Sequence, residues 1–137
     1  MPTLTRWSIK SALIYFVAAL TTGVVLAARP VFDLSPALAA LGPVYFHLLM
    51  LGWITQLIFG IVYWMFPKYS REKPRGGERL AWATYILLNI GLILRAIGEP
   101  MQAAQPEGAW GWLLAISAGL QWLAGVAFVA NTWVRVK

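Results

Sequence analysis

The sequence has no cysteine, a single histidine and only five acidic side chains in 137 residues. The missing thiols exclude disulfides, thiolate-held metals and iron–sulfur clusters, and one histidine excludes a metal cage built from several imidazoles of the same chain. Charge is scarce as well. Asp, Glu, Lys and Arg make up 12% of the chain, about half of what a soluble domain carries. What replaces them is apolar: 60% of the residues are hydrophobic. A water-soluble domain of this length buries only about two thirds of the surface its chain exposes, too little to hide so much. The composition is that of an integral membrane protein.

Four apolar runs, at about residues 11–28, 44–66, 80–97 and 110–134, are each long enough to cross hydrocarbon as a helix. The expected fold is therefore all-α, with residues 1–137 forming one four-helix transmembrane domain. Prolines and glycines punctuate the runs: Arg29-Pro30 after the first, Gly42-Pro43 before the second, Pro67 after it, and Gly98-Glu99-Pro100 after the third. The first run, at about 18 residues, exceeds the 7 to 15 of a signal-peptide core, so it is read as a retained helix.

Nine of the eleven Lys and Arg fall on one side of a four-pass chain: Arg6, Lys10, Lys68, Arg71, Lys73, Arg75, Arg79, Arg135 and Lys137. Only Arg29 and Arg95 fall on the other. The positive-inside rule then puts both termini and the loop KYSREKPRGGER in the cytoplasm. That asymmetry accounts for the net charge of +6 as a topology signal with an attraction for anionic headgroups, and no nucleic-acid partner is expected. Aromatic residues fall at the same interfaces, with Trp7, Trp64, Tyr69, Trp82 and Trp133 inside and Tyr45, Trp110 and Trp112 outside.

Helices associate in lipid through small residues and a few polar side chains. Stripes with a four-residue step are present at Ala19, Gly23 and Ala27, at Gly52, Gln56 and Gly60, and at Gly111, Ala115 and Gly119. Gln56, Asn89, Gln121 and Asn131 are expected to make interhelical hydrogen bonds rather than a polar path. No carboxylate falls within the four runs, which disfavours an exchanger built on a buried Asp or Glu.

His47 lies four residues after Pro43, about 6 Å into the second helix. At 100° per residue it shares a face with Met50, Leu51, Ile54, Ile58, Ile61 and Met65. An imidazole along such a wall needs a partner. Three remain open: a hydrogen bond to another helix or a headgroup, a proton path, or the iron of a heme lying against the apolar residues. Arg29 and Arg95, the only outer cations, suit the two carboxylates at a heme edge, and they equally suit ordinary snorkelling.

The segment HLLMLGWITQLIFGIVYWMFP, His47 to Pro67, resembles the second transmembrane helix of the catalytic subunit of heme-copper oxidases and nitric oxide reductases. His47, Gly52-Trp53, Gly60, Tyr63 and Pro67 carry the resemblance. It implies that His47 is an axial ligand of a heme b near the outer surface, with Arg29 and Arg95 at the propionates and Met50, Leu51 and Ile54 along the porphyrin. Trp53 is expected to pack on a neighbouring helix more than on the heme, and Met101, in the outer loop, is within reach of the iron.

The family's large subunit has twelve helices in three arcs of four, and this chain looks like one arc. The resemblance thus implies a cyclic homo-oligomer, a homotrimer first and a dimer sharing one heme second. The family's remaining metal-ligating histidines are absent, so oxygen reduction and proton pumping are not expected. The expected activity is binding of a diatomic gas such as nitric oxide or oxygen, or electron transfer, in the inner membrane of a prokaryotic cell. A cofactor-free structural or assembly subunit is the alternative.

Overall fold

A computed structural model describes residues 1–71 and 75–136. Lys73 and Lys137, two of the nine basic residues assigned to one side, lie outside the described residues. Four helices are long and apolar enough to cross a membrane: Thr3–Ala27, Gly42–Met65, Glu78–Ala104 and Trp110–Arg135, the last ending in a 3₁₀ turn over Trp133–Arg135. They are called the first to fourth helices below. A short helix, Pro36–Ala39, lies in the connection between the first and second, started by Pro36 and by Ser35 Oγ, which accepts from the Leu38 amide. Met1 and Arg135 fall at one end of the bundle, the near end, beside Tyr63, while Arg29, His47 and Arg95 fall toward the other, the far end.

The third helix departs most from expectation. Instead of stopping near Ile97 it continues through Pro100 to Ala104. Proline removes one amide donor, a loss tolerated near a helix end where neighbouring groups take over. The short Pro36–Ala39 helix packs against the third helix. Glu99, expected in a loop, is thereby inside the helix.

The chain folds as two pairs, first with second and third with fourth, joined mainly through the second and third. The pairs use different repeats. On the second helix the buried positions include Val44, Leu48, Gly52, Gln56 and Gly60, a step of four. An ideal α-helix would rotate such a series by about 40° per step. Residues Leu48–Thr55 are π-helical, and the wider π turn cancels much of that drift, so the stripe stays on one face. It meets the first helix closely: a Cβ on Gly52 would lie 2.8 Å from Tyr15 Cβ, and one on Gly60 would lie 2.7 Å from Ser8 Cβ. Thr5 Oγ1 donates to the Gly60 carbonyl at 3.1 Å, and Gln56 Nε2 reaches the Ser8 carbonyl at 3.5 Å.

The second pair runs on a step of seven. Thr84, Gly91 and Gly98 on the third helix and Ser117, Ala124 and Asn131 on the fourth are all buried, the spacing that keeps a seam facing its partner in a gently coiled pair. Ser117 Oγ donates to the Gly91 carbonyl at 2.7 Å, and Gln121 Nε2 donates to Ser117 Oγ at 3.0 Å. The expected Gly111, Ala115, Gly119 stripe is not part of this seam. All three are exposed, and a Cβ on Gly119 would meet nothing within 4 Å. Stacking of Phe59 on Phe128, with centroids 3.8 Å apart, ties the second helix to the fourth.

Polar side chains link the remaining surfaces. Tyr15 donates to Asn89 Oδ1 at 2.9 Å, and Ser11 Oγ lies 2.7 Å from the Tyr85 hydroxyl, joining first and third helices. Asn131 Oδ1 accepts from the Gly77 amide at 2.9 Å, anchoring the start of the third helix to the fourth. Gly76 precedes it at φ +77°, a region that disfavours side chains, and a Cβ there would lie 2.8 Å from Asn131 Oδ1. Arg135 does most at this end. It is 1% exposed, and its Nε and Nη2 donate to the carbonyls of Pro67, Phe66 and Tyr63 at 3.1, 2.9 and 3.3 Å. Those carbonyls end the second helix and have no further turn to bond, so the guanidinium caps it.

Gly52→Ala destabilises the fold by about 1–3 kcal/mol, since the Tyr15 atoms it meets sit close to the first helix backbone. In the monomer, Gly119→Ala leaves stability unchanged or raises it by up to about 1 kcal/mol. Denaturant titration in micelles that ranks Gly119→Ala as the more damaging would contradict the pairing described. Arg135→Leu strands three carbonyls and costs about 2–4 kcal/mol, and the same titration reads it.

Candidate functional site

The residues that the sequence singles out fall toward the far end. His47 is the last residue before the π-helical segment, on the turn begun by Pro43. Its Nδ1 lies 2.8 Å from the Pro43 carbonyl oxygen. A carbonyl only accepts, so Nδ1 carries a proton, and in the neutral ring Nε2 is then the nitrogen with the lone pair. The ring is half-buried, and the bond to its own helix fixes its orientation without a second helix. This is the arrangement in which a ligating imidazole is usually held, one nitrogen bonded to a carbonyl and the other turned to the metal.

Arg29 lies exposed in the turn after the first helix. Arg95 was expected at a helix end but sits nine residues inside the third helix, because that helix runs on to Ala104. It is consequently near the level of the second helix start: Ala96 packs with Val44 and Leu48 around Ala19. Arg95 Nε is 3.3 Å from Glu99 Oε1, one turn on, and both side chains are largely shielded, at 20% and 18% exposed. The sequence shows this pair in its i, i+4 spacing, and the reading that stopped the helix at Ile97 missed it. Glu99 also corrects the expectation that no carboxylate falls within a span.

The residues expected beside His47 divide. Met50 is exposed and Ile54 half-buried, as a wall open to a ligand or to lipid requires, and Ile58, Ile61 and Met65 are exposed further down. Leu51 instead packs inward with Leu88, Leu92 and Ala124. The cause is the π-helical segment, which breaks the 100° step used to place it. Trp53 packs against Phe16 of the first helix, with ring centroids 4.2 Å apart, the helix-packing role anticipated for it. Met101 is half-buried within the third helix rather than in a loop.

Among the described residues no cluster of three or more His, Cys, Asp or Glu could hold a bare metal ion. A metal bound here through His47 needs further ligands from elsewhere, and a porphyrin supplies four. The donor set therefore suits a heme more than a free cation: one imidazole, an apolar wall and guanidinium groups toward the same end.

Comparison with known proteins agrees with the second-helix motif. Residues 2–104, covering the first three helices, match the family described as Cytochrome C and Quinol oxidase polypeptide I. A search of curated proteins gives no match, and neither does a search of solved structures. The matched span holds three quarters of the chain and includes His47, Arg29 and Arg95, and the family's members bind heme. This small multi-pass membrane protein belongs to the subunit I family of the cytochrome c and quinol oxidases.

Proposed function

We propose that the chain is a heme b protein in which His47 Nε2 is an axial ligand, serving gas binding or electron transfer. The observation that carries this reading is the Nδ1 bond to the Pro43 carbonyl. Had His47 served only to join helices, its ring would be expected to bond across an interface, as Asn89 and Asn131 do. It bonds its own helix instead and leaves Nε2 available. Arg29 and Arg95 are the cations for the propionates, with Glu99 holding the Arg95 side chain in place. Met50 and Ile54 border the ligand, and Leu51 supports them from inside the bundle.

A bound heme supplies reversible one-electron chemistry at iron and a site for a diatomic ligand. The chain has one histidine, so either the sixth position is open to nitric oxide, oxygen or carbon monoxide, or a second copy completes it. A homotrimer, which repeats the family's three arcs, is the favoured assembly and a dimer the second. The exposed Gly111, Ala115 and Gly119 stripe is the surface for that contact. The charge asymmetry supports cytoplasmic termini in a prokaryotic inner membrane. A binuclear oxygen-reducing centre is not proposed, since the histidines for one are missing from the sequence.

The deciding experiment is an absorption spectrum of the purified protein, oxidised and dithionite-reduced, then exposed to carbon monoxide. A Soret band that disappears in His47→Ala, with membrane insertion retained, is the expected result. Stoichiometric heme in His47→Ala would sink the assignment, and no Soret band in the unmutated protein supplied with heme would leave a structural subunit as the better reading. Arg95→Gln should retain the band and weaken heme retention by about tenfold, as loss of one charge-assisted hydrogen bond to a carboxylate implies; heme dissociation to an apoglobin acceptor measures it.

A further inference from the structure

The near end holds a site that none of the preceding chemistry uses. Between the start of the first helix and the start of the third lies an open cleft lined by Arg6, Arg75, Arg79, Glu78, Tyr63 and Leu4, among others. The three arginines come from two separate parts of the chain, and all are exposed. Among the described residues none of them is engaged in an ion pair. Glu78 is the one carboxylate in the lining, leaving the cleft strongly positive.

A second observation points the same way. Arg135, whose Nη2 bonds the carbonyl of the cleft residue Tyr63, is 1% exposed, and its Nη1 has no partner. The groups it does bond are neutral carbonyls, so its charge is not compensated among the described residues. Three exposed guanidinium groups around one carboxylate leave a surplus of positive charge in the cleft that an anion would offset.

We propose that this cleft is a phosphate site, filled in the membrane by the headgroup of an anionic phospholipid and held by Arg6, Arg75 and Arg79. Guanidinium forks match the oxygens of a phosphate in geometry and charge. The cleft opens at the end of four membrane-spanning helices, where headgroups lie. Trp7, next to Arg6 and 54% exposed on the first helix, suits the glycerol and upper acyl region beside it. The proposal is independent of the heme reading, since it concerns the opposite end of the bundle.

The test uses the full chain in neutral detergent at a salt concentration that screens diffuse attraction. Phosphatidylglycerol, phosphatidylcholine and inorganic phosphate are titrated separately, and binding is read by native mass spectrometry and by the shift in unfolding temperature. Phosphatidylglycerol should bind and stabilise, and phosphatidylcholine should not. Arg75→Gln with Arg79→Gln should weaken binding about tenfold for each arginine, the fold-change of about 1.4 kcal/mol. Lys68→Gln with Arg71→Gln removes the same charge from the same connection outside the cleft and should leave binding unchanged. Should the first pair fail to accumulate, Arg6→Gln on the first helix gives the same comparison. Inorganic phosphate that reproduces the full effect, with the same arginine dependence, keeps the phosphate site and overturns the lipid as its source. Equal losses in the two double variants, or equal binding of the two lipids, would overturn the site itself.

Discussion

In hydrocarbon a polar group has no water to turn to, so each must find its partner inside the protein. The rest of this structure depends on that constraint. Both buried hydroxyls that bond across a helix pair, Thr5 and Ser117, donate to a glycine carbonyl, Gly60 and Gly91 respectively. The coincidence has a physical cause. A missing Cβ lets the partner helix approach closely and uncovers the carbonyl, so the same residue that permits packing also offers the acceptor. At the end of the second helix the carbonyls that lack a following turn are met by Arg135, and at the start of the third the Gly77 amide is met by Asn131. Loops and helices are thus closed by side chains of the fourth helix, which makes its last turn a lock on the near end.

The same constraint explains what the sequence discloses. Long apolar runs and prolines place the four helices, because length and apolarity are what the bilayer demands. The Gly52, Gln56 and Gly60 stripe identifies the face toward the first helix for the same reason. Prolines mislead at Pro100, where a single lost donor near a helix end does not stop the helix. The π-helical segment is also in the sequence, as a step of four sustained from Val44 to Gly60, which an α-helix cannot keep on one face. Reading that stretch at 100° per residue misplaces Leu51. The seam between third and fourth helices is written less plainly. Its step of seven mixes Thr84, Gly91, Gly98, Ser117, Ala124 and Asn131, with no single residue type to reveal it. Conversely, the regular Gly111, Ala115, Gly119 stripe lies exposed and outside the seam. A smooth surface marks where a helix can be approached, and the approaching partner need not belong to the same chain.

Of the candidate site, the three residues at its centre are legible and their surroundings are not. Composition leaves His47 alone, and charge counting leaves Arg29 and Arg95 as the outer cations. The i, i+4 partnership with Glu99 depends on a helix that continues, and the Nδ1 bond depends on a rotamer, neither of which periodicity supplies. These local contacts matter because they set what the groups can still do. Glu99 takes part of the Arg95 charge, leaving Arg29 the more available cation, while the Pro43 carbonyl takes only the proton-bearing side of His47.

The two ends of the bundle therefore spend their polar groups in opposite ways. At the near end Asn131 and much of the Arg135 guanidinium are consumed in holding helices and connections to each other, and the surplus is cationic. At the far end the one imidazole is oriented by its own helix, and nothing in the fold requires its second nitrogen. A fold that needed His47 for cohesion would lose an interhelical bond on its removal; this one keeps its seams, since the hydrogen bonds and close contacts described between the second helix and the first, from Val44 down to Tyr63, are made by other residues. Removing the imidazole should thus separate ligand binding from folding, which is what makes the heme assignment testable by a single substitution.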